Sequence, residues 1–72
     1  MSGRPKKRSL ALKGHRTSVS LEDDFWEAFQ EIAAERQQSI RALAEEIDEK
    51  RGDRMGLASA LRLFVLQYYR ER

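Results

Sequence analysis

No cysteine occurs in the chain, and its single histidine, His15, has no set of neighbouring ligands. Disulfide and zinc staples are excluded together. No apolar run approaches the ~20 residues that span a bilayer, and no signal-peptide core follows the basic start. A cytoplasmic protein is therefore expected. Also missing are a nucleophile with its base and orienting group, and a glycine-rich phosphate loop. Neither catalysis, a cofactor nor a metal is expected. The most informative absence is acid in the first twenty residues, which hold Arg4, Lys6, Lys7, Arg8, Lys13 and Arg16 without one Asp or Glu. The remainder has eight Lys or Arg against twelve Asp or Glu. A basic segment on an acidic body suits a polyanionic partner.

What is present is one small domain. A chain of 72 residues buries only ~60% of its unfolded surface, so a lone monomer is marginal. With disulfide and metal gone, oligomerisation is the stabilising device that remains. Residues 1–14, "MSGRPKKRSLALKG", read as a flexible basic arm. Its Lys6, Lys7, Arg8 and Lys13 are expected to contact phosphates, giving salt-dependent affinity without sequence information. A solvated tail is the bland alternative. A polybasic membrane anchor is a weaker one, since no basic amphipathic helix or lipidation site accompanies it.

The domain proper spans 15–72 and is mainly α with one short strand. In "RTSVSL", 16–21, Val19 and Leu21 are apolar between Arg16, Ser18 and Ser20, the period-two pattern of a half-buried strand. Glu22, Asp23 and Asp24 suit the start of a helix over 23–36, where Phe25, Phe29, Ile32 and Ala33 recur at helical spacing beside Trp26. Ser39 is a good N-cap for a helix over 39–50, with Ile40, Leu43, Ala44 and Ile47 on one stripe. Gly52 and Asp53 end that helix and open a third over 54–70. The third helix is apolar nearly all round, Leu63 and Leu66 even falling in its polar stripe, so part of its cover is expected from a second copy.

A lone strand leaves backbone donors and acceptors unpaired. The cheapest partner is the same strand of a second subunit, antiparallel across a two-fold axis. Val19, Leu21, Phe25, Trp26, Phe29, Leu43 and Ile47 would then form a dimer core, and Arg16, Ser18 and Ser20 would face outward. A two-stranded ribbon fits the B-DNA major groove, where serine donates or accepts and arginine grips guanine. A wetted, functionless outer face is the plain alternative. His15 reads as an incidental phosphate contact.

The segments "RTSVSL", "EDDFWEAFQEIAAE" and "SIRALAEEI" resemble the Arc/MetJ-like ribbon-helix-helix DNA-binding superfamily. With "LASALRLFVLQYYR", the chain is also similar to a group of short bacterial members that carry an extra C-terminal helix. The resemblance implies an intertwined homodimer that is a nucleoid-associated, sequence-selective transcriptional repressor of double-stranded DNA. It implies base reading by Arg16, Ser18 and Ser20. It further implies phosphate binding at the second helix's N-terminus, at Ser39, Ile40 and Arg41, where free amides and the dipole favour an anion. In the other register the third helix is the family's second, and the phosphate anchor moves to Leu57, Ala58 and Ser59. Two rivals remain, an antitoxin or other protein-interaction module of the same fold and an architectural DNA binder without base preference. A toxin partner is the less favoured reading, and a tetramer is left open by Leu63 and Leu66.

Overall fold

A computed structural model describes residues 3–72 of the chain. Two strands open it, β1 (Lys6–Leu12) and β2 (His15–Leu21), followed by α1 (Asp23–Glu35), α2 (Ile40–Arg51) and α3 (Leu57–Arg70). β1 and β2 pair antiparallel as a hairpin, from Lys6 opposite Leu21 to Leu12 opposite His15. The loop is two residues, Lys13 and Gly14, both at positive φ (51° and 81°). Two left-handed residues in succession are the turn whose twist matches that of paired strands, and glycine takes the second position without strain.

Two expectations are corrected by this hairpin. The arm read over 1–14 is a strand across Lys6–Leu12; residues 1 and 2 lie outside the described residues. Nor is β2 the chain's one strand, since it pairs along one edge with β1. The physical reason is local: Leu10 and Leu12 alternate as Val19 and Leu21 do, and a two-residue loop lets both pairs share one face. Ladder bonds alternate along an antiparallel pair that such a loop closes at Leu12 and His15, so the backbones of Arg16, Ser18 and Ser20 face the outer edge. There, the Ser20 carbonyl accepts from Arg62 Nη2 at 3.2 Å.

Asp23 and Asp24 occupy the first turn of α1, where its dipole favours negative charge. The helix ends in a Schellman arrangement, with Gln37 at φ 58°. The Gln37 amide donates to Ala34 O at 3.1 Å and the Gln38 amide to Ala33 O at 2.9 Å. Ser39 caps α2, its Oγ accepting from the Ala42 amide at 3.0 Å. α2 stops at Gly52, φ 60°. The third helix begins at Leu57 rather than 54. Arg51 holds the intervening loop in a non-helical path, donating to Gly52 O (3.2 Å) and Met55 O (2.8 Å).

One face of the ribbon and all three helices enclose a single core. Leu10, Leu12, Val19 and Leu21 come from the strands, Phe29, Ile32 and Ala33 from α1. Leu43, Ala44 and Ile47 come from α2, and Ala60, Leu61 and Val65 from α3. Each larger side chain in it contributes roughly 1.5–3 kcal/mol. Of the seven residues assigned to a dimer core, Val19, Leu21, Phe29, Leu43 and Ile47 are buried within one chain, and Phe25 and Trp26 pack half-buried against them. Within the chain, Leu10 and Leu12 of β1 join them in the same core.

Candidate nucleic-acid interface

Side chains alternate across a strand, so burying Leu10, Leu12, Val19 and Leu21 fixes what the other face presents. That outer face carries Lys7, Ser9 and Ala11 from β1 and Arg16, Ser18 and Ser20 from β2, all exposed. Lys7 sits opposite Ser20, Ser9 opposite Ser18 and Ala11 opposite Arg16. The surface is flat, small-sided and free of acid, with a cation at diagonal corners. Arg16 Nη1 leans across the ladder to Ser9 Oγ at 3.4 Å, a weak contact that leaves most of its donors free.

The four cations assigned to a phosphate-binding arm separate into different environments. Only Lys7 lies on the outer face. Arg8 points inward: its Nη2 reaches Asp23 Oδ1 at 2.5 Å and Leu21 O at 3.2 Å, and its guanidinium lies 5.5 Å from the Trp26 ring centroid. It ties the ribbon to α1 and is removed from the set of free phosphate ligands. Lys6 also pairs with Asp23, at 3.2 Å, and Lys13 with Glu49, at 3.4 Å. Both remain more than half exposed, so these pairs hold them weakly. His15 is exposed beside the turn.

The carboxylates under the ribbon are held ionised. Hydrogen bonds from Arg8, then Lys6, hold the Asp23 carboxyl below its ordinary value. Glu22 is lowered by its own backbone amide and then by Arg62, whose Nε donates to Oε1 at 2.9 Å. Their negative charge is thus engaged on the helix side of the ribbon.

At the start of α2, the Ala42 amide is taken by Ser39 Oγ and the Leu43 amide by Ser39 O at 3.1 Å. The first-turn amides left to point outward are those of Ile40 and Arg41, and no acid stands in that turn. The Arg41 side chain is exposed beside them. At the rival position, Gly56 precedes α3 with no side-chain cap, and Leu57, Ala58 and Ser59 follow. Both helix starts offer amides; only α2 adds an exposed cation within its first turn.

Sequence reasoning missed Lys7 and Ser9 as neighbours of Arg16, Ser18 and Ser20. The signal for them was the Leu10–Leu12 alternation ahead of Lys13-Gly14, obscured by the basic run. No helix among the described residues is long and apolar enough to cross a membrane. A family model described as a ribbon-helix-helix domain matches residues 5–69, taking in the hairpin and all three helices. No curated protein and no solved structure matches the chain.

Proposed function

Because the chain belongs to the ribbon-helix-helix family, we propose that it is a sequence-selective binder of double-stranded DNA, acting in the cytoplasm as a dimeric transcriptional repressor. The outer face of the β1–β2 ribbon enters the major groove. Arg16 reads guanine through two parallel hydrogen bonds, and Ser18 and Ser20 donate to or accept from neighbouring base edges. Ser9 extends this surface, and Lys7 at its corner grips phosphate. The amides of Ile40 and Arg41, with Ser39 fixing the turn and Arg41 adding charge, hold a phosphate. Lys6 and Lys13 add salt-dependent grip.

The observation that supports this reading best is the ribbon's acid-free outer face, where small hydroxyls lie between Lys7 and Arg16. The ribbon itself holds no acid, and Glu22 and Asp23, which follow it, are paired with Arg62 and with Arg8 and Lys6. The test is selection of bound sites from a random DNA pool, followed by competition of the selected site against random DNA at fixed salt. A recovered motif bound at least tenfold more tightly than random sequence supports the reading. Equal affinity for both would make the protein an architectural binder, and no binding to either would remove DNA as the partner.

A further inference from the structure

On the outer face of the ribbon, Lys7, Ser9, Arg16, Ser18 and Ser20 are polar. Ala11 is the one apolar side chain among them, and it is exposed. It stands directly opposite Arg16 in the ladder. No ladder bond joins that pair, an arrangement that sets Cα atoms about 4.5 Å apart and draws the side chains together. Arg16 does not rise upright from its strand. Its Nη1 crosses to Ser9 Oγ at 3.4 Å, so the guanidinium lies along the face toward β1. Between it and the turn, the ribbon presents only the Ala11 methyl.

A surface that thin lets a methyl group approach a base edge. In the major groove the C5 methyl of thymine is the projecting apolar group, and alanine is among the side chains that pack on it. Ser9, Ser18 and Ser20, the other small residues of the face, each carry a hydroxyl that would lose water against a methyl group at a cost. Ala11 carries none.

We propose that Ala11 reads a thymine methyl beside the guanine held by Arg16, so that the selected DNA site carries these two bases close together. This role rests on the DNA-binding reading given above and adds a second base to it. Ser9, over which the guanidinium lies, and Ala11 are next neighbours on one face of β1, about 6.8 Å apart at strand spacing. Base pairs repeat every ~3.4 Å along the duplex, which places the thymine within about two base pairs of the guanine.

The test uses the site selected from the random pool, with each thymine near its guanine replaced in turn by deoxyuridine, which keeps the base pair and removes only the methyl. At one such position the wild-type chain should bind about threefold more weakly, the effect of one partly buried methyl group. Ala11→Gly should show no difference between thymine and deoxyuridine there. The readout is a ratio of two sites for one protein, so a general loss of affinity in the variant does not enter it. Ala11→Ser serves the same purpose should glycine unsettle the strand, as circular dichroism would reveal. Replacing the guanine by 7-deazaguanine, which lacks the N7 acceptor, should weaken wild type and Ala11→Gly alike, by about tenfold. A selected site with no thymine within about two base pairs of its guanine overturns the proposal. So does equal wild-type affinity for thymine and deoxyuridine at every such position, or a penalty that persists in the Ala11 variants. In those outcomes DNA binding itself still stands. Failure to bind any DNA removes that reading and the role of Ala11 together.

Discussion

β1 and β2 have the same burial pattern residue for residue, exposed at both ends of the outer face and closed at the last two inward positions. Their sequences differ in kind. β2, "HRTSVSL", has β-branched Thr17 and Val19 and announces a strand. β1, "KKRSLAL", is built from residues that favour helices or solvated tails. The inward third position shows the contrast best: Thr17 in β2 is half-buried and neutral, whereas Arg8 in β1 is half-buried and ion-paired. Position in the ladder, imposed by the turn and the apolar pairs, decided which way each residue faces. Intrinsic preference did not.

The comparison breaks most sharply across the two faces. Leu21→Ala, at a fully buried inward site, should cost about 2–5 kcal/mol in urea unfolding, while Ser18→Ala opposite Ser9 should stay within about 0.5 kcal/mol. Similar losses from both would mean the faces are not inequivalent. Next in size is recognition. Arg16→Ala should lose roughly 1–3 kcal/mol of preference for a selected DNA site, whereas Lys7→Ala should weaken all sequences alike and lower the salt slope by about one. Uniform weakening by Arg16→Ala would reassign it from reading to gripping.

The turn that makes β1 possible comes third. Gly14→Val, forced to a φ of 81°, should destabilise by about 1–2 kcal/mol as seen in thermal melts. An unchanged melt would show that the hairpin closes by another path. The smallest effect lies with Arg8 and acid. Asp23 titrates below its ordinary range in the folded chain, so its stabilising effect is present above the unfolded carboxyl's pKa and is lost as pH falls through the lowered folded value. Arg8→Ala should flatten that acid loss as pH falls below the unfolded carboxyl's pKa. An acid limb of unchanged depth would show that Arg8 does not hold Asp23.

The second helix was the most legible, because stripe and cap agreed: Ser39 ahead of Ile40, Leu43, Ala44 and Ile47 left little choice. Outward placement of Arg16, Ser18 and Ser20 followed from Val19 and Leu21 alone. What sequence hid was β1, because Lys-Gly is a poor advertisement for a turn usually written Asn-Gly or Asp-Gly, and because Lys6, Lys7 and Arg8 look like a tail. Arg8 was misread for the same reason. Its inward course depends on Asp23 and Trp26 lying beneath it, a relation between segments that no local pattern records. The late start of α3 was equally hidden, since it turns on Arg51 binding the loop carbonyls.

A hairpin closed by Lys13 and Gly14 forms by a unimolecular event between neighbours in the chain. Its assembly is first order in protein, and dilution does not dismantle it. A ribbon shared between two subunits vanishes when they part; this one persists in every separate copy.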